Sequence, residues 1–266
     1  MTGVIEAAAE AYSRRAAFYR VEYDERRDIG FFLSLIEAGK TDVLEVPCGA
    51  GRLTVHLARK ARHVTAVDLE PTMVRSLESF VQAEGLSDKV TARAGDMTSL
   101  CLPRPVDLVI VPSEALQLLP KPAGRTALAT LMDQLKPGGC MVIDLALFTG
   151  PTAGTPDYFD PATEGSRWCP QWVRPLPDGG TLGRSVRFRR ESDCCVFDFS
   201  YEITGKPGTP TARFCEEMVL FHYGAEWFLQ NLPQSVATLS FRSGYDGTGP
   251  ALAGQRLIVT LHKSVE

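Results

Sequence analysis

The sequence predicts an α/β fold: a doubly wound, mostly parallel sheet with an antiparallel β insertion and an N-terminal helical cap. Three observations predict it. Between about residues 42 and 147, short apolar runs alternate with stretches of helical period, the pattern of a parallel sheet covered by helices. From 166 to 222 the chain instead alternates apolar and polar residues, as antiparallel strands do. Before both, about 40 residues read as helical, with aromatic residues spaced among arginines.

The predicted cap, residues 1–40, carries Tyr12, Phe18, Tyr19 and Tyr23 among Arg14, Arg15, Arg20, Arg26 and Arg27. Packing on a sheet explains Phe18 and the cluster Phe31, Phe32, Leu35 and Ile36; it explains the tyrosines less well. In the predicted core, 41–148, the runs "VLEV", "HVTAVD", "VTARAGD", "VDLVIVP" and "CMVIDLAL" are short and β-branched, as strands buried on both faces should be. Met73, Val74, Leu77, Phe80 and Val81 form one helical stripe and Leu128, Leu131, Met132 and Leu135 another. Pro71 suits a first helical residue. "LKPGG", 135–139, is expected to end a helix, its glycines turning the chain into the next strand.

Residues 149–222 read as a Gly/Pro/Thr loop followed by the insertion, clearest where Cys195, Phe197, Phe199, Tyr201 and Ile203 share one side of a strand. Residues 223–266 then give a helix, "AEWFLQNL", and two strands, "SVATLSF" and "QRLIVTLHK", expected to complete the main sheet.

Composition narrows the function. The formal charge of -4 offers no basic field, so no nucleic-acid partner is expected. The seven cysteines contain no CxxC pair, which fits reduced thiols in a cytoplasmic protein. "MTGVIEAAAEAYSRR" puts its acid before its bases and has no long apolar run, so neither a signal peptide nor a membrane anchor is expected. Exposed strand edges in the insertion leave room for a homodimer.

The chemistry concentrates in "VLEVPCGAGR", residues 43–52, which reads as a strand, a glycine-rich turn and a helix start. Such a corner lets a ligand approach the backbone. A dinucleotide fingerprint needs Gly or Ala at its last position, but the run from Gly49 ends in Thr54, and Pro47 stands where the first glycine belongs. Glu45 lies inside the strand and Asp68 closes the next one. That pair suits S-adenosylmethionine, a zwitterionic amino acid joined to a nucleoside without phosphate. Asp68 is placed to accept both ribose hydroxyls and Asp96 the adenine amino group, with Leu69 and Met97 as apolar walls. Pro47 lacks an N–H but keeps a carbonyl for the cofactor's ammonium. Met73 and Pro112 complete the expected contacts.

These stretches, with "AGDM", "VDLVIVPSEALQLL" and "LKPGG", resemble in order the motifs of class I S-adenosylmethionine-dependent methyltransferases. "YRVEYDERRDIGFFLSL", the insertion and the ending "YDGTGPALAGQRLIV" are similar to the small-molecule branch that includes glycine and amino-sugar N-methyltransferases. The resemblance implies a Rossmann-like seven-stranded sheet. It implies that Tyr19 and Arg27, with Tyr23 nearby, close over the cofactor, that Glu45, Gly49 and Gly51 shape its methionine and ribose pocket, and that Ser113 lies near the sulfonium. The branch often carries an Asn-Pro-Asp-like stretch after the fifth strand; "DLALFTGP" keeps only Asp144.

Methyl transfer is an in-line displacement that needs proximity, alignment and a route for a proton, and no metal or nucleophilic triad is expected. Tyr19, Glu114 and His222 are the candidates for catalysis, and Tyr12, Trp168, Tyr201 and Glu216 for binding a small-molecule acceptor. The expected function is methylation of a small molecule in secondary metabolism, with nitrogen favoured over oxygen or carbon. One alternative is cyclisation of the cofactor's carboxypropyl chain to azetidine-2-carboxylate with release of methylthioadenosine. A second is a regulator that binds the cofactor without catalysis.

Overall fold

The computed structural model describes residues 18–22, 28–148, 164–177, 179–205, 212–246 and 256–265. Among the described residues two short helices come first, α1 (Tyr19–Glu22) and α2 (Ile29–Ser34). Then come β1 (Asp42–Glu45), α3 (Thr54–Lys60), β2 (His63–Asp68), α4 (Pro71–Ala83), β3 (Val90–Ala94), β4 (Val106–Val111), α5 (Lys121–Asp133) and β5 (Leu135–Ala146). Four strands follow, β6 (Cys169–Pro175), β7 (Thr181–Arg190), β8 (Cys194–Thr204) and β9 (Ala212–Phe221). Helix α6 (Ala225–Gln230) leads to β10 (Val236–Ser243) and β11 (Arg256–Lys263).

The main sheet has seven strands in the order β10-β11-β5-β4-β1-β2-β3, as the sequence leads one to expect. β1 pairs in parallel with β2 on one side and β4 on the other, while β11 runs antiparallel to both β5 and β10. The chain therefore winds outward from β1 to β3 and reverses to β4. This makes a topological switch point at the C-terminal ends of β1 and β4, where open α/β sheets bind ligands.

Successive strand residues feed opposite faces. Val43 and Ile110 join a core with Phe32, Leu57 and Leu77, from α2, α3 and α4. Leu44 and Val109 join the other core with Leu128 of α5 and Phe228 of α6. Two-sided burial is why these strands read as apolar runs rather than alternating ones.

One expected boundary moves. Helix α5 ends at Asp133, and "LKPGG" lies within β5 rather than ending the helix. Strand pairing starts at Leu135 opposite Val106, slips, and resumes at Cys140 opposite Leu108. Gly138 takes φ +73° in this bulge, and a Cβ on Gly139 would come within 3.1 Å of the Asp107 carbonyl. The glycines serve close backbone approach inside the strand.

Strands β6 to β9 form a separate antiparallel sheet in sequence order. Its inner face presents Phe188, Phe197, Phe199 and Tyr201, and packs against Phe18 before α1 and against Ala146 and Phe148 at the end of β5. Among the described residues, no helix is long and apolar enough to cross a membrane.

Candidate active site

A cleft opens at the switch point. Of the residues expected to bind a cofactor, Tyr19, Glu45, Pro47, Gly49, Asp68, Leu69, Asp96, Met97, Pro112 and Ser113 all line it. Gly51 and Met73 support it from behind. Gly51, at φ +92°, lies so close to α4 that a Cβ would meet Leu77 Cδ1 at 2.5 Å, and Met73 packs with Ala50 and Tyr19. Tyr12, Tyr23 and Arg27 lie outside the described residues.

The turn after β1 is shaped by a few backbone constraints. The Val46–Pro47 peptide is cis and Gly49 takes φ +53°. The Cys48 N–H donates to the Val67 carbonyl at 2.9 Å, tying the turn to β2. The Gly49 N–H donates to Asp68 Oδ2 at 2.8 Å, and the Glu70 N–H donates to Asp68 Oδ1 at 2.9 Å. Asp68 thus holds both turns while it faces the cleft, and a carboxylate's lone pairs outnumber these two bonds. Burial pushes its pKa up to about 6, against the charge-stabilising effect of those N–H groups.

Glu45 is fully enclosed, at 1% exposure, and accepts the Thr54 hydroxyl at 2.6 Å. Burial pushes its pKa up to about 8, so the neutral acid dominates at pH 7. Asp96 takes both the N–H and the hydroxyl of Thr98 on Oδ1, each at 2.8 Å, and this turn holds its side chain at the cleft wall.

Three further residues of the cleft wall are not among those the motifs point to. Glu70 caps α4 by accepting the Thr72 N–H at 2.9 Å, and "EPT" at a helix start is a legible signal for that cap. Arg52 forms a two-pronged pair with Asp28 at 2.8 and 2.5 Å, joining α2 to the glycine turn. Cys48 lies buried in the turn, and burial holds its thiol well above the usual range.

Beyond β4, Ser113 and Glu114 both take left-handed backbone, φ +55° and +58°, a conformation uncommon outside glycine and often found at functional turns. Ser113 faces the cleft and its N–H reaches Asp144 Oδ2 at 3.3 Å. Glu114, expected to orient an amine, is not part of the cleft wall. It pairs with Arg256 at 2.5 Å, and the same guanidinium reaches Asp144 at 2.8 Å. Tyr245 donates to Asp144 at 2.6 Å, completing a buried cluster behind Ser113.

The insertion residues also depart from expectation. Tyr201 is fully buried and its hydroxyl donates to Glu22 at 2.5 Å, so it braces α1 rather than facing the cleft. Trp168 stacks against Arg187, 4.7 Å from guanidinium carbon to ring. His222 sits at the end of β9, 3.4 Å from Cys195 Sγ and against the Phe148 ring, with burial holding its pKa below the usual value. Glu216 is buried, 5% exposed, on β9 opposite Phe199 of β8. None of the four lines the cleft.

The seven-stranded sheet, with its cleft at the switch point, has the fold of solved S-adenosylmethionine-dependent methyltransferases. Residues 43–139 match the family model described as "Methyltransferase domain". Among curated proteins, the chain is 34% identical over 117 residues to a probable cobalt-precorrin-6B C(15)-methyltransferase of Methanothermobacter thermautotrophicus. That match covers 43% of this chain and 58% of the relative, so the shared part is little more than the core. Solved structures follow nearly the whole chain at lower identity. A sugar N-methyltransferase from Streptoalloteichus superposes with a TM-score of 0.70, at 19% identity, over 93% of this chain and 91% of that one. An amino pentose methyltransferase from Micromonospora echinaspora gives 0.68 at 20% identity over 93% and 95%. At such identities the likeness is one of fold.

Proposed function

We propose that the protein transfers a methyl group from S-adenosylmethionine to a nitrogen of a small molecule, as a cytoplasmic enzyme of secondary metabolism. The observation that carries this is the charge of the cleft. Among the described residues its wall holds four carboxyl groups, Glu45, Asp68, Glu70 and Asp96, against one guanidinium, Arg52, which is already paired with Asp28. Even with Glu45 neutral, such a field favours a cationic sulfonium and a basic amine over an anionic acceptor. The solved relatives named for amino sugars and sugar nitrogens support the same reading by fold.

When bound, S-adenosylmethionine supplies a methyl carbon activated by positive sulfur; the chain supplies position and a dry surround. Asp68 holds the ribose hydroxyls with the acceptor capacity left beside its two N–H partners, and Asp96 holds the adenine edge. The Pro47 carbonyl takes the ammonium, and Tyr19 covers the methionine end. Pro112, Ala115, Leu118 and Leu119 give the remaining wall an apolar surface that excludes water. Leu118 also packs against the core of the four-stranded sheet, and on this reading the acceptor enters from that side. In this reading the proton leaves with solvent or through a group on the acceptor; the burial of Glu114 and its pairing with Arg256 speak against that side chain as the base.

The test is incubation of the purified protein with S-adenosylmethionine, alone and with a panel of amino sugars and amino acids, with products identified by mass. S-adenosylhomocysteine formed only with an acceptor supports the proposal. Methylthioadenosine formed without acceptor would replace it with cyclisation, and binding without turnover across the panel would replace it with a regulatory role.

A further inference from the structure

Tyr19 reaches the cleft from α1, a helix of only four residues. An isolated helix needs roughly 12–15 residues to persist in water, so tertiary contacts must hold this segment, and they come from the four-stranded sheet rather than from the cofactor core alone. Phe18 packs its ring against Tyr201 and Phe214, at 5.9 and 5.6 Å. Arg174 donates through Nη1 to the carbonyls of Val21 and Glu22, at 2.6 and 2.7 Å, and so binds the electronegative end of the helix. The Glu22 carboxylate accepts from Arg184 Nη1 at 2.7 Å and from the Tyr201 hydroxyl.

The last contact is unusual in its dryness. The side chains of Arg184 and Glu22 are 2% and 0% exposed. Arg184 is otherwise satisfied by Gln171, at 2.7 Å from Nε, and lies over Trp172 and Phe199, 4.8 and 5.2 Å from their ring centres. A buried charge pair is a poor source of net stability compared with apolar packing, but its geometry tolerates little displacement, because either charge left alone in that setting is strongly unfavourable. Apolar contacts such as those of Phe18 would allow the segment to slide. The ion pair fixes where it stops.

The opposite end of the same helix stops on the cradle. A Cβ on Gly49 would meet Tyr19 Cε1 at 2.8 Å, and the Gly49 N–H is held by Asp68. We infer that the Glu22–Arg184 pair is a clamp through which the four-stranded sheet sets the Tyr19 lid over the cofactor cradle. Arg184, Arg174, Glu22 and Tyr201 are then positioning residues, not contacts to cofactor or acceptor. The inference rests on the cofactor reading above for what the lid covers, though not for the clamp itself. It gives the insertion a second role, because the sheet beside the acceptor entry also governs retention of the cofactor.

A double-mutant cycle tests the coupling. Binding of S-adenosylhomocysteine is measured by titration calorimetry for the wild type, Arg184→Met, Tyr19→Ala and the double variant. Arg184→Met is expected to weaken binding about tenfold, and the same change on the Tyr19→Ala background by less than twofold. A second tenfold loss on that background would overturn the coupling, since a general structural role does not depend on Tyr19. Tyr201→Phe, which keeps the ring and loses only the O–H donor, repeats the cycle if Arg184→Met does not fold. Amide hydrogen exchange reads the clamp without cofactor: residues 18–22 should exchange slowly in the wild type and at least tenfold faster in Arg184→Met or Tyr201→Phe, with β1 unchanged. Equal exchange overturns the clamp. Failure of the wild type to bind S-adenosylhomocysteine, with the exchange difference intact, would overturn the cofactor reading instead.

Discussion

Tyr19 occupies the space beside Gly49 that any side chain at that position would need, its Cε1 only 2.8 Å and its oxygen 3.1 Å from where a Cβ would lie. Gly49 also has φ +53°, a left-handed backbone that costs a residue with a Cβ about 1–2 kcal/mol. Gly49→Ala should therefore displace the Tyr19 ring and strain the turn together. The expected outcome is at least a tenfold loss of S-adenosylhomocysteine affinity by calorimetry and a lower melting temperature. Unchanged affinity would mean that the ring does not rest on the cradle.

Asp68 joins the two turns that shape the cleft, through Gly49 and Glu70. Asp68→Asn keeps the shape but loses the charge and puts a donor where an acceptor is needed. Charged hydrogen bonds contribute about 1.5–3 kcal/mol, so cofactor affinity should fall roughly 10- to 100-fold. In the wild type, affinity should also decline as pH falls through about 6, where Asp68 takes up a proton. A pH-independent affinity between 5 and 8 would argue against the ribose role.

Glu45 bears on stability rather than affinity. Its pKa is raised from 4.5 to about 8 by burial, so between those values the unfolded chain has released a proton that the folded protein keeps. Stability from this group is complete below about pH 4.5 and lost as pH rises through about 8, with a slope near 1.4 kcal/mol per pH unit while one whole proton separates the states. Thermal melts of the cofactor-free protein should show this decline, and Glu45→Gln should flatten it. A variant whose melting curve keeps the wild-type pH slope would assign the effect elsewhere.

Gly124 offers a case where two effects oppose. Alanine in place of glycine inside helix α5 is worth about 1 kcal/mol in helix propensity. But a Cβ there would stand 1.9 Å from the Tyr223 hydroxyl, which is itself held by the Leu119 carbonyl at 2.9 Å. Overpacking of this kind costs about 1–3 kcal/mol, so Gly124→Ala should destabilise, and adding Tyr223→Phe should recover part of the loss in urea melts. A stabilised single variant would show that the ring moves freely.

The cradle is legible in the sequence because its parts are local. Glu45, the turn and the helix that follows lie within one strand-turn-helix unit, and Asp68 and Asp96 fall where parallel strands end. Glu114 and Tyr201 mislead for the opposite reason. Their partners, Arg256 and Glu22, lie far away in sequence, and alternation along a strand tells that a residue points inward but not which charge waits there. The Glu22–Arg184 pair is hidden in the same way, since an acid beside Asp24 and Glu25 and an arginine on a strand that also carries Arg187, Arg189 and Arg190 each read as solvated. "LKPGG" misleads because its spacing fits a helix end, while the demand for glycine comes from the carbonyls of Lys136 and Asp107, 2.9 and 3.1 Å from where a Cβ on Gly139 would lie.

The clamp bears on how this protein could be rebuilt. A four-stranded sheet inserted after the cofactor core looks like an exchangeable part, one that could be swapped for another to change the acceptor. Here the graft would remove Arg174, Arg184 and Tyr201 and take from Glu22 its buried ion-pair and hydroxyl partners. The natural unit of exchange is therefore discontinuous: the sheet together with residues 18–22, drawn from both ends of the core it surrounds.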